Sequence, residues 1–140
     1  TLPKPYSTSD NLEIITLAKV TSSIPSLEKL TNSQITLTDS SGKPLESFQA
    51  NNRIQIVGSI SNEQLFDQKF VYLVQIKDHD DSVVSLSWMS GELSGYQNLD
   101  VSQSWLPKNS GEFLIESFVW NSLEDQIALS QSMSTIIIIE

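Results

Sequence analysis

The chain contains no cysteine, which excludes disulfides, zinc–thiolate sites and thiol catalysis together. Cationic residues are scarce. Eight Lys and Arg stand against 17 Asp and Glu, a formal charge of −9 at pH 7 and a pI near 4.4. Nucleic-acid binding rests on cations that neutralise phosphates, so this balance argues against it, and against attraction to anionic lipid. Long apolar runs are missing too. None, Ile136 to Ile139 included, is long enough to span a bilayer, and no signal peptide is visible. No Asn-x-Ser/Thr sequon occurs, so N-glycosylation is not expected. A start at Thr1 rather than Met suits either a processed secreted chain or an excised fragment.

What is present is alternation. The stretch from Trp105 to Leu123 breaks at Pro107, turns through Asn109-Ser110-Gly111, then runs apolar to Trp120 without a helix breaker. Phe113, Ile115, Ser117 and Val119 share one face of an extended chain; Leu114, Glu116, Phe118 and Trp120 share the other. A strand that is apolar on both faces belongs inside a sheet covered on each side. Similar short runs recur at Gln34–Thr38, Arg53–Ile60, Phe70–Lys77, Val83–Trp88, Leu99–Trp105 and Ser132–Ile139. Phe70, Tyr72, Val74 and Ile76 alternate inward along the third run. Val84, Leu86 and Trp88 align along the fourth, and their phase, like that of Trp120, places them in the core. Together the runs predict an all-β, immunoglobulin-like, seven-stranded sandwich over residues 33–140, behind an N-terminal extension of residues 1–32.

The pattern W-x-P-x-x-S-G-x-F-x-x-x-x-F-V-W-x-S-L, from Trp105 to Leu123 and followed by Ala128-Leu-Ser130, carries a resemblance. With Phe70–Asp78 and Val84–Trp88 upstream, it resembles a repeated β-sandwich domain of secreted and cell-surface proteins in ammonia-oxidising archaea. The resemblance covers residues 33–140. It implies an immunoglobulin-like extracellular module with no catalytic residues and no cofactor. Where such domains often carry Tyr after S-G-x, this chain has Phe113, so a tyrosine-corner hydroxyl bond is excluded.

The two ends look unsuited to a lone domain. Leu12, Ile14, Thr16, Ala18 and Val20 alternate along one face of a strand at 11–20 that the sandwich does not need. Thr21 to Asn32 reads as a linker, with one helical turn from Ser26 to Leu30 capped by Ser26. In the last strand, if Ile137 and Ile139 face the core, Ile136 and Ile138 must face outward, an aggregation hazard unless covered. One scheme joins these oddities: the 11–20 strand adds to a neighbouring subunit, with Ile136 and Ile138 as the acceptor or outward face. Such a head-to-tail contact makes a homopolymer, as in archaeal pili and threads built from immunoglobulin-like subunits. Two alternatives stand beside it. The strand pairs within its own sandwich, or residues 1–32 are a linker of a larger surface protein.

Asp78-His79-Asp80-Asp81 is the densest polar cluster. Calcium favours several hard oxygens on one loop, but the spacing is not that of an EF-hand, and Asp also favours turns. His79 near Ser82 and Ser85 lacks the third, orienting group that nucleophilic catalysis needs. Trp88, Trp105 and Trp120, with Tyr72 and Tyr96, contain the material of an aromatic platform for glycan, and Tyr96 beside Gly95 is the one expected to be exposed. The expectation is therefore a non-enzymatic, extracellular or cell-surface structural subunit without catalytic or metal residues. The alternative is a carbohydrate- or calcium-binding adhesion module of a larger surface protein.

Overall fold

The structure, a computed structural model, describes residues 24–140. It is an all-β sandwich of two antiparallel sheets. Strands β1 (Leu30–Asn32), β2 (Thr36–Thr38), β3 (Ile54–Asn62) and β6 (Asn98–Trp105) form one sheet. Strands β4 (Gln68–Asp78), β5 (Val83–Leu93), β7 (Gly111–Trp120) and β8 (Met133–Ile139) form the other, in the order β5-β4-β7-β8.

The seven-strand expectation holds once β1 and β2 are seen as one interrupted edge strand. Both pair with the same side of β3, Leu30 opposite Asn62 and Thr36 opposite Val57. Between them the Ser33 hydroxyl accepts the Ser59 N–H at 2.8 Å, and the Ser33 N–H donates to the Ser59 carbonyl at 2.9 Å. Among the described residues the sheet thus begins at Leu30, ahead of the expected boundary at Ser33. Leu30 is an apolar side chain within reach of the core, and it is 1% exposed. The helical turn is a 3-10 turn at Ser26–Glu28, but Ser26 does not cap it. Its hydroxyl donates to the Ala128 carbonyl at 2.6 Å, tying the turn to the loop before β8.

The core lies between the sheets. Ile54, Ile56 and Ile60 of β3 meet Phe70, Tyr72, Val74 and Ile76 of β4, with Ile115 and Val119 of β7. Trp105 and Phe113 close one end edge-on, their ring centroids 5.3 Å apart. Alternation on β3 puts Gly58 against the ring of Tyr72, where any larger side chain collides.

One strand is inverted relative to its sequence. Val84, Leu86 and Trp88, expected in the core, are exposed, while Ser85, Ser87 and Met89 face inward. The cause is a β-bulge. Lys77 pairs with Val83, but Ile76 pairs with Ser85, so Val84 is an extra residue. Continuing the Lys77–Val83 register without it sets Tyr72 opposite Trp88 and Val74 opposite Leu86, both inward. With the bulge, Trp88 falls opposite Leu73 and Leu86 opposite Gln75, on the solvent side. A slip of one residue exchanges the faces of a strand.

Candidate functional site

The solvent face of the second sheet is unusually apolar. Cross-strand partners share a face, so β4 presents Val71, Leu73, Gln75 and Lys77 outward between Ser90, Trp88 and Leu86 of β5 and Trp120, Phe118 and Glu116 of β7. Leu73 forms the floor, buried beneath its neighbours. Trp88 rises on one side, and Phe118 and Trp120 on the other, with ring centroids 6.0 Å apart and planes inclined at 41°. Leu123 and Gln126, from the loop after β7, complete a groove of about 500 Å³. Burying a Leu side chain contributes about 1.5–3 kcal/mol, so the aromatic walls also protect the sheet.

Polar groups lie at the margins. Gln75 donates to the Glu116 carboxylate at 3.2 Å, and Lys77 stands 3.8 Å from the same carboxylate. Gln126 donates to the Leu123 carbonyl at 3.1 Å.

The aromatic residues read from the sequence divide three ways. Trp88 and Trp120 line the groove, so core packing is corrected for both; the bulge turns Trp88 outward, and Trp120 follows the outward phase of β7. Trp105 and Tyr72 are core residues. Tyr96 is exposed but sits in the β5–β6 turn, in the left-handed region with φ 59°. Phe118, Leu86 and Leu73 complete the groove. For Leu73 and Phe118 the signal is the apolar second face of the Phe70–Lys77 and Glu112–Trp120 runs, which demands a cover; Leu86 turns outward with Trp88 through the bulge.

Asp78 to Asp81 forms a turn. The Asp78 carboxylate accepts the N–H groups of Asp80 at 2.9 Å and Ser82 at 3.0 Å, and Lys77 pairs with Asp81 at 3.5 Å. Among the described residues no three His, Asp or Glu side chains converge as a metal site. The carboxylates that suggested calcium serve the hairpin.

The edge of this sheet is the second feature. On β8, Ile137 and Ile139 are buried, whereas Ile136 is 62% and Ile138 57% exposed. Among the described residues only the end of the strand is covered: Phe48 bridges Ile139, and the Glu140 N–H donates to the Phe48 carbonyl at 2.8 Å. Among the described residues, no main-chain bond reaches the outer edge from Met133 to Ile138. The strand at 11–20, with Leu12, Ile14, Thr16, Ala18 and Val20, lies outside the described residues. No described helix is long and apolar enough to cross a membrane.

Within the described residues these features define a β-sandwich domain with an apolar sheet face and a strand edge left unpaired from Met133 to Ile138. No family model and no curated protein matches the sequence. Solved structures do share the fold. The C-terminal domain of wzt is similar at TM-score 0.64 and 13% identity, covering 87% of this chain and 85% of that one. The CARDB domain of the PF1109 protein from Pyrococcus furiosus, in complex with di-metal ions, is similar at TM-score 0.56 and 14% identity over 79% of this chain and 87% of that one. A β-glucosidase from Erythrobacter marinus is similar at TM-score 0.59 and 12% identity, over 79% of this chain but only 15% of the enzyme. At these identities the likeness is one of fold.

Proposed function

We infer that this domain is a non-enzymatic structural subunit of an extracellular assembly, joined to neighbouring copies by strand addition at β8. The edge from Met133 to Ile138, unpaired among the described residues, carries the inference. Sheet edges are normally blunted by charge, bulges or covering segments. The opposite edge, β5, is blunted by its bulge and by Ser90 and Glu92. β8 instead presents isoleucines and no charged side chain. Strand addition supplies the missing main-chain bonds, and alternate side chains set the register.

The donor is the alternating segment Leu12, Ile14, Thr16, Ala18 and Val20. Ser26 and Leu30 are bonded to Ala128 and Leu129 just ahead of β8, so the described chain starts beside the beginning of the acceptor strand. Donation to the next copy gives a head-to-tail homopolymer; return to the same copy gives a closed monomer. The resemblance to archaeal surface modules supports a location outside the cell.

Substituting Leu12→Asp and Ile14→Asp in the full chain, and separately Ile136→Lys, tests the scheme by electron microscopy and light scattering. Polymers from the parent chain and soluble folded monomers from every variant are the expected result. A parent that stays monomeric at all concentrations overturns assembly. Variants that melt at much lower temperature place the segment in its own sandwich. A second reading, an adhesion module that holds a ligand, is favoured by the aromatic groove.

A further inference from the structure

The open edge and the groove lie on different surfaces of the second sheet, and the groove has a chemistry of its own. We propose that the groove over Leu73 binds a neutral glycan, with Trp88 and Trp120 as stacking surfaces and Gln75 and Gln126 as partners for ring hydroxyls.

Charge narrows the ligand first. Among the described residues no side chain lining the groove is charged. At its margin Glu116 and Lys77 face each other, Glu116 also accepts from Gln75, and Glu124 and Asp125 lie in the chain between Leu123 and Gln126. A phosphate or carboxylate entering the groove loses hydration beside carboxylates without gaining a free counter-ion, and an ammonium finds no carboxylate in the lining. The lining therefore favours an uncharged ligand.

Shape narrows it next. A volume of about 500 Å³, open on its solvent side between two walls, admits a short segment of a chain molecule. The walls are indole and phenyl rings, which offer flat apolar faces. A pyranose ring matches them. One of its faces is a patch of C–H groups, and its hydroxyls radiate from the rim. Stacking buries the C–H face and leaves the hydroxyls directed toward polar groups at the margin.

The polar partners agree. Gln75 and Gln126 each have their amide nitrogen anchored, by Glu116 at 3.2 Å and by the Leu123 carbonyl at 3.1 Å. Each anchor fixes the orientation of its amide and leaves the carbonyl oxygen to accept from a hydroxyl. The floor offers no main-chain partner, because β4 and β7 are interior strands bonded on both sides. A peptide held by main-chain bonding finds nothing here.

A proline-rich peptide is the competing occupant, since aromatic grooves also take polyproline helices. Calorimetry and tryptophan fluorescence on the full chain separate the two. The probes are soluble neutral oligosaccharides of glucose, mannose, galactose, xylose and N-acetylglucosamine, beside a proline decamer. At least one oligosaccharide is expected to bind and change the tryptophan emission. Trp88→Ala and Trp120→Ala should each weaken binding by about tenfold or more, as loss of a central aromatic contact does. Tyr96→Ala, an exposed aromatic outside the groove, should leave it unchanged. If Trp120→Ala lowers the melting temperature, Leu86→Ser is the substitute groove variant. Failure of every oligosaccharide to bind overturns the proposal, as does binding that survives the groove variants or a groove that takes only the proline decamer. Ile136→Lys, which blocks the strand edge, should leave glycan binding intact, so the site stands or falls apart from the assembly scheme.

Discussion

Leu73 and Trp88 are direct cross-strand partners on the same face of one sheet, yet Leu73 is 4% exposed and Trp88 50%. The floor is protected by the wall, and the wall meets water. Their substitutions should therefore separate. Leu73→Ala should destabilise the fold by about 2–3 kcal/mol, the lower part of the range for a buried Leu. Trp88→Ala should cost less than about 1 kcal/mol, as partly exposed positions do. Urea denaturation of the two variants measures both. Equal losses would mean that the indole is a structural cover and the groove a packing feature.

The Val84 bulge lets Leu86 and Trp88 face solvent. Deleting Val84 removes the extra residue itself: Ser85 then follows Val83, and the pairs Ile76–Ser85, Gln75–Leu86 and Leu73–Trp88 are kept in an uninterrupted ladder. The deletion variant should therefore unfold cooperatively by circular dichroism, with its tryptophan emission as open to acrylamide quenching as the parent's. Val84→Ser, which keeps the extra residue, should also unfold as the parent does. A deletion variant that loses cooperative unfolding would show that the bulge does more than set the register.

Gly58 and Tyr72 form a second coupled pair. A Cβ added at Gly58 stands 2.5 Å from the phenolic oxygen of Tyr72 and 3.4 Å from the ring carbon that carries it. Gly58→Ala should therefore destabilise by about 1–3 kcal/mol. The buried Tyr72 hydroxyl makes no well-formed hydrogen bond, Ser117 being its polar neighbour, so Tyr72→Phe alone should change stability by less than about 1 kcal/mol. In the Gly58→Ala background, Tyr72→Phe removes the clashing atom and should restore most of the loss. A double-mutant cycle by chemical denaturation reads this coupling directly, and additive effects would contradict it.

Two groups are shifted in opposite directions. Hydrogen bonds from the Ser41 side chain and the Lys43 backbone hold the Asp39 carboxyl below its ordinary value of 3.8. Its contribution is thus present above that value and lost as pH falls through the lower folded one. Burial raises the Tyr72 phenol above 10.0, with Ser117 opposing. Its contribution is present below pH 10.0 and lost as pH rises toward the folded value. Melting temperature against pH should fall at both extremes. Asp39→Ala should flatten the acid limb and Tyr72→Phe the alkaline limb; limbs unchanged in these variants would assign the titrations to other groups.

The face of a strand is legible when its neighbours leave no choice. β4 carries Phe70, Tyr72, Val74 and Ile76 in strict alternation, and all four lie in the core. β5 offered Leu86 and Trp88 on one side and Ser85 and Ser87 on the other, so apolar-inward was the natural expectation. One unpaired residue reversed it. Nothing in the local composition of Val83-Val84 marks a bulge, because its position depends on how two strands seat against the opposite sheet. The groove therefore escaped sequence reading although both of its tryptophans had been singled out. Leu30 escaped for a related reason. Three residues of strand after a helical turn carry no period, and only pairing with β3 defines them.

Side-chain period and composition sufficed for the all-β class, the inward phase of β4 and the acidic character of the chain. Packing between distant segments settled which residues of β5 and β7 face solvent, where the first edge strand of the described residues begins, and how Asp78 to Asp81 spends its carboxylates. Each of those depends on register between segments distant in the chain or on bonds closed by a turn, and period within one strand does not encode register between two.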